Sequence, residues 1–300
     1  MIMRQSLFDL IKRTIVYKYA LPNKQLAIQN TKHSTKEDDC WSSLNDTDLS
    51  DIIYNLLIEY SFNEFDIPQN SYENLLKIAL QTKLKYDPNY KESMKIGFGF
   101  HGEVLLYGIL YTMYDAKPLI SRGYFYSVGE NAETKGYDCY HLVEHDDEVE
   151  LWFGETKFMS SFNECIDSVF KNIDKALSTD YLCKKNLLAI ISQKDRLSIK
   201  NSKIEKIIQT WEQNPEVGTI ENQIKTHNMK LVYPIVLTST QAKDYDETIK
   251  NAVEYIDSKA LNASLNIPYS LFFIFLPVSS SRNVKKRVIE WIESKKPLLL

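Results

Sequence analysis

Residues 136–158, GYDCYHLVEHDDEVELWFGETKF, constrain this chain more than any other stretch. Two apolar runs flank Asp146 and Asp147; the first carries Asp138 and the second ends in Glu155-Thr156-Lys157. Side chains of a strand alternate between its faces, so Glu155 and Lys157 share one. A hairpin folded about the aspartate pair sets Asp138 directly opposite Glu155. Two carboxylates and an ammonium then crowd one patch of sheet, with facing Cβ atoms roughly 4.5–5.5 Å apart. Carboxylates that close repel, and the arrangement asks for a cation. Mg²⁺ held by carboxylates beside a lysine suits hydrolysis of a phosphodiester.

The rest of the composition is that of an ordinary soluble globular protein. With 300 residues, 44% hydrophobic and 25% charged, the chain can bury a substantial core. Nine glycines and nine prolines leave little material for flexible linkers. The net charge of −4 gives no overall attraction for nucleic acid, so such binding has to come from a local basic face and from bound metal. Cys40, Cys139, Cys165 and Cys183 are widely spaced and form no C-x-x-C pair, which fits buried or free thiols in a reducing cell. The start, MIMRQSLFDLIKR, is broken by charge and lacks the apolar stretch of a secretory signal. The longest strongly apolar run, Leu271–Val278, falls far short of the ~20 residues that span a bilayer. A cytoplasmic protein is expected.

Apolar periodicity predicts a strand near Thr14–Tyr19, a polar loop over Asn30–Ser43, and helices at Leu49–Phe62 and Tyr72–Leu84. Asp87-Pro88-Asn89 marks a turn. The segment His101–Ala116 has Val104, Leu105, Gly108, Ile109 and Met113 on one helical face, with Glu103 in the first turn, where exposed amides favour an acid. Leu119–Val128 reads as a strand, and after the hairpin Ser161 and Glu164 form a capping box for a helix lined by Phe162, Ile166, Val169, Phe170 and Ile173. Beyond it the pattern gives a short strand at Asn186–Ser192, a helix at Lys203–Glu212 and a strand at Leu231–Thr238. A helix at Tyr245–Leu261, a strand at Leu271–Pro277 and a helix at Val284–Ser294 complete it. This alternation predicts an α/β fold with a mixed central sheet flanked by helices.

The candidate site comprises Glu103, Asp138, Glu155 and Lys157. Asp138 and Glu155 would bind Mg²⁺ or Mn²⁺ directly together with the backbone carbonyl of Thr156, and Glu103 would add a ligand directly or through water. Lys157 would orient the attacking water or offset charge growing on the phosphate. A plainer reading is open as well: a solvated Glu155–Lys157 pair at a strand end, a helix-start glutamate, and Asp138 in a turn with Gly136. E-x-K is a short string that recurs by chance. The alternating, aromatic run Val149–Phe153 before it, the acid across the hairpin and the glutamate-bearing helix upstream favour the site.

Other polar residues divide less sharply. His101 and His141 are close in sequence to Glu103 and Asp138, yet a packed or surface imidazole is the better reading of each, and His145 belongs to the hairpin tip. Tyr107, Tyr111 and Tyr114 could stack on bases but sit at core spacing on a helix. Residues 281–296 hold Arg282, Lys285, Lys286, Arg287, Lys295 and Lys296 against Glu290 and Glu293. Of these, Lys285, Lys286 and Arg287 are candidate nucleic-acid contacts, weighed against a solvated amphipathic face.

At GFHGEVLLYGILY (99–111), KGYDCYHLV (135–143) and ELWFGETKF (150–158) the chain resembles the PD-(D/E)XK nuclease superfamily, whose core joins a helix glutamate, a strand aspartate and a following (D/E)-x-K. More narrowly, the ordered set is similar to the HamA family, nuclease subunits of the Hachiman anti-phage defence system. The likeness is concentrated in residues 97–160, and Tyr137 stands where the superfamily nominally has proline. The resemblance implies a restriction-endonuclease-like domain over 96–300 and Glu103, Asp138, Glu155 and Lys157 as the catalytic set. It also implies divalent metal, DNA as substrate and a superfamily 2 helicase partner, HamB-like. Residues 1–95 then form a mainly helical amino-terminal extension able to dock that partner. Two alternatives stay open: an inactive DNA-binding or assembly module, against which the intact E-x-K speaks, and an RNase toxin, which sequence does not separate from a DNase.

Overall fold

The computed structural model describes residues 3–63, 67, 71–84, 86–127, 132–133, 136–197, 202–214 and 216–299. The first half of the chain contains α1 (Gln5–Thr14), β1 (Ile15–Ala20), β2 (Asp39–Ser43), α2 (Asp46–Ser61), α3 (Tyr72–Ile78), α4 (Glu92–Ile96) and α5 (Phe100–Met113). Six short strands follow: β3 (Lys117–Pro118), β4 (Tyr126–Ser127), β5 (Ala132–Glu133), β6 (His141–Glu144), β7 (Val149–Trp152) and β8 (Glu155–Met159). Then come α6 (Phe162–Phe170), α7 (Ile173–Ala176), α8 (Leu188–Ile191), α9 (Lys203–Gln213), α10 (Val217–Thr226), β9 (Met229–Thr240), α11 (Tyr245–Asp257), β10 (Tyr269–Val278) and α12 (Ser281–Ser294).

The architecture is the expected mixed α/β one. Eight strands form a sheet in the order β1-β2-β10-β9-β7-β6-β3, and β8 extends along β9 beyond β7. β9 and β10 run parallel at its centre over ten residue pairs, Tyr269↔Leu231 to Val278↔Thr240. Both are covered on two faces, which is why LFFIFLPV reads as a continuous apolar run. Leu271, Phe273 and Phe275 join the core with α6, α9, α10 and α11, whereas Phe272, Ile274 and Leu276 join the core with α1, α2, α5 and α12. Each such side chain removed from water contributes on the order of 1.5–3 kcal/mol.

The amino-terminal 95 residues are mainly helical and also supply β1 and β2, the latter paired in parallel with β10. α2 packs on both α5 and α12, so this region shares the second core. Three readings of the sequence need correction. The last residues of the polar loop Asn30–Ser43 form β2. In place of a strand at Leu119–Val128 there is a 3₁₀ turn, Arg122–Phe125, flanked by the two-residue strands β3 and β4; Val128 lies outside the described residues. Gly123 lets this turn pack against α2, because a Cβ there would stand 2.5 Å from the Ser61 carbonyl oxygen. Asn186–Ser192 is helical, ending in α8, with Leu187, Ile190 and Ile191 buried. A short apolar run cannot by itself distinguish a buried strand from a buried helix.

The hairpin has the register expected from its sequence over four pairs, His141↔Trp152 to Glu144↔Val149, closing at the His145–Glu148 turn. β7 and β8 then behave as one strand interrupted. Val149–Trp152 pair with Met229–Val232 and Glu155–Met159 with Ile235–Ser239, without any shift in spacing. The gap at Phe153–Gly154 falls opposite Pro234, which has no N–H to donate. A Cβ at Gly154 would stand 2.8 Å from the Pro234 carbonyl oxygen and 2.9 Å from its ring. Gly154→Ala is therefore expected to destabilise the fold by about 1–3 kcal/mol through overpacking. Thermal unfolding checks it, and an unchanged Tm would contradict this account of the gap.

Candidate active site

Glu155 and Lys157 follow the interruption on β8, and strand alternation puts both on one face, with Thr156 and Phe158 on the other. The Lys157 ammonium donates to the Glu155 carboxylate and, at 3.0 Å, to the Thr156 carbonyl. Both side chains are well covered, 18% exposed for Lys157 and 19% for Glu155. Asp138 lies just before β6, beyond the last ladder pair. It meets the second strand differently from a paired residue: its N–H donates to the Gly154 carbonyl at 2.9 Å, and its carboxylate Oδ2 accepts the Thr156 N–H at 2.9 Å. These two bonds bracket Glu155.

Glu103 approaches from α5. Gly102 lets that helix close on β8, since a Cβ there would be 3.1 Å from Thr156 Cγ2. A Cβ on Gly99 would be 2.8 Å from Glu103 Oε1, so the carboxylate folds back over the helix start. Tyr60 of α2 donates its hydroxyl to Glu103 Oε2. Glu103, Asp138, Thr156 and Lys157 line one cavity of about 250 Å³, walled by Gly97, Phe98 and Gly99 and joined by Lys285 of α12. Glu155 sits behind Lys157 and is not part of the lining.

The electrostatics follow from this crowding. Burial, and after it the Asp138 carboxylate, pushes the Glu155 carboxyl above its usual range, opposed by Lys157 and Arg122. Burial alone would depress Lys157, but Glu155, Asp138 and Glu103 together hold it above its ordinary value. The site is thus a buried acid–base cluster in which charged lysine compensates carboxylates. Its donors are hard oxygens, and two of them, from Glu155 and Thr156, already hold a cation, the Lys157 ammonium. That chemistry fits Mg²⁺ or Mn²⁺. Among the described residues no three His, Cys, Asp or Glu side chains are grouped closely enough to hold a metal as they stand.

The basic run of α12 splits apart, as consecutive helix residues must. Lys285 enters the cavity, Lys286 lies 3.8 Å from the Glu92 carboxylate, and Arg287 donates to Thr47 Oγ1. Tyr60 and Arg122 were not singled out from the sequence. Tyr60 reads as one more apolar position of α2, and nothing local to Arg122 announces its proximity to Glu155. Tyr107 is packed in the core, as are the four cysteines, all buried and free. No helix among the described residues is long and apolar enough to cross a membrane.

The fold and this cluster define a class: a mixed α/β protein, its sheet flanked by helices, with an acid–lysine constellation where a hairpin meets a helix. The chain belongs to the HamA family, whose model matches residues 10–292, and it is accordingly a component of Hachiman anti-phage defence. Neither the curated proteins nor the solved structures compared with it give a match.

Both histidines near the site are packed. His101 is wholly buried, its Nε2 3.2 Å from the Lys95 carbonyl, and His141 is buried against Tyr107, ring centroids 5.1 Å apart. Burial holds each down to about 3. The unfolded chain takes up these protons below about pH 6.5. The folded chain does not until about pH 3. Stability is therefore intact above pH 6.5 and falls with pH below it, by up to ~1.4 kcal/mol per unit for each histidine. His141→Phe removes one share. Urea midpoints at pH 7.5 and 4.5 should show a smaller acid loss for the variant, and an equal loss would contradict this reading.

Proposed function

We propose that this protein is a divalent-metal-dependent deoxyribonuclease that hydrolyses phosphodiester bonds at the Glu103, Asp138, Glu155 and Lys157 site, working with a HamB-like superfamily 2 helicase subunit. The observation that carries the reading is the meeting of Glu103, Asp138 and Lys157 in one cavity, with Glu155 paired directly to Lys157 behind it. Asp138 keeps one oxygen on the Thr156 N–H, and the other has no hydrogen-bond partner among the described residues. That free oxygen, the Glu155 carboxylate and the Thr156 carbonyl are the proposed ligands, with Glu103 acting directly or through water.

Bound Mg²⁺ or Mn²⁺ would offset charge on the scissile phosphate and lower the pKa of the attacking water. The protein's own groups supply the remainder. Lys157, released from Glu155, is left beside the phosphate to orient water and counter the negative charge that develops there. Tyr60 holds Glu103 in place through its hydroxyl. Phe98, Phe158 and Met159 give the cavity an apolar wall. Residues 1–95 are the proposed docking surface for the helicase, and copurification of the two subunits tests that assignment.

The decisive assay incubates the protein with plasmid, labelled single-stranded DNA and labelled RNA, in Mg²⁺, Mn²⁺ or chelator, beside Glu155→Gln and Lys157→Met. DNA cleavage is expected only with metal, reduced about 10²–10³-fold or more in either variant. Cleavage in chelator, or cleavage surviving both substitutions, would remove this site from the mechanism. RNA cut in preference to DNA would move the assignment to a ribonuclease.

A further inference from the structure

We propose that Lys285 is a phosphate-binding residue of this site, gripping the DNA backbone about one strand repeat from the proposed metal seat. The inference rests on the nuclease reading above. Of the basic residues on α12, Lys285 is the one whose side chain lines the cavity with Glu103, Asp138 and Lys157. Its ammonium donates to the Phe158 carbonyl and stands 4.8 Å from the Phe158 ring centroid. No carboxylate among the described residues pairs with it, in contrast to Lys157 on Glu155 and Lys95 on Glu293.

A partly buried cation without an acid is costly, and an anion entering the cleft from water would relieve that cost. The energetics agree: burial lowers Lys285 to about 8, with only the Cys165 thiol opposing. Its position selects the oxygen it can hold. Phe158 and Thr156 carbonyls are two residues apart on β8, about 6.6 Å at the usual strand rise. A metal ligand would have to come within roughly 2.0–2.1 Å of the ion. Lys285 therefore stands about one strand repeat from the proposed metal seat, placed to hold a phosphate oxygen that the ion does not.

The test compares wild type with Lys285→Met, Lys285→Arg and, as a control, Lys250→Met on the exposed face of α11, where Lys250 is 54% exposed. Fluorescence anisotropy with a labelled single-stranded oligonucleotide is run in chelator across a salt series, and cleavage is run separately in Mg²⁺. Lys285→Met should bind at least about three-fold more weakly, with the slope of log K against log salt smaller by about 0.7, the share of one phosphate contact. Lys285→Arg should restore the slope, and Lys250→Met should match wild type. A merely structural tether of α12 to β8 would lower Tm and leave the slope unchanged, which would overturn the proposal. So would wild-type binding by Lys285→Met. If wild type neither binds nor cuts DNA, the nuclease reading itself fails; if it cuts and Lys285→Met binds normally, only the role of Lys285 fails.

Discussion

Pro234 lies in the middle of β9, a strand buried on both faces, and it offers no N–H to the neighbouring strand at the point where the hairpin's second arm passes it. The arm breaks there, at Phe153 and Gly154, and resumes as β8 without a change of register. Because Gly154 has no side chain, the chain can press against the proline carbonyl and keep its course. Asp138 then closes the break, its N–H on Gly154 and its carboxylate on the Thr156 N–H. Asp138 and Glu155 both flank this local fault in an otherwise regular ladder. α5 is drawn onto the same place by Gly102, which brings Glu103 with it.

Crowded carboxylates in a covered site have to be balanced, and the protein does so with lysines. Lys157 spans the Glu155 carboxylate and the Thr156 carbonyl, so the Glu155 charge is compensated within the site. An incoming divalent ion and a phosphate would together replace that pairing, freeing the ammonium for the reacting group. On the proposed reading the balance is local: the acids near the cavity would attract the ion, and the ion with Lys285 would attract the backbone. Overall charge says little about such a device.

Much of the architecture was legible because both periodicities are strong where burial is strong. β9, β10, α2, α5, α9, α11 and α12 all lie where the apolar pattern places them, and Ser161 caps α6 through the Glu164 N–H as its spacing suggests. α1 and α10 went unread, since α1 is interrupted by charge and α10 has Ile220 and Ile224 as its fully buried positions. Segments 119–128 and 186–192 were misread because Gly123 and a run of apolar residues each carry information that only the packing partner reveals. At the site, strand alternation sufficed for Glu155 and Lys157, and the hairpin register brought Asp138 alongside. That Asp138 accepts the Thr156 N–H, that Tyr60 reaches Glu103 from 43 residues away, and that Lys285 alone of three consecutive basic residues lines the cavity are tertiary facts.

The central claim is that the oxygens of Asp138, Glu155 and Thr156 form a seat for a divalent cation now covered by Lys157. Anomalous scattering from crystals grown or soaked with Mn²⁺ addresses it directly. The account predicts a manganese peak bonded to both carboxylates and to the Thr156 carbonyl, with the Lys157 ammonium withdrawn from Glu155. An intact Lys157–Glu155 pair with no peak between Asp138 and Glu155, at Mn²⁺ concentrations that support DNA cleavage, would contradict it.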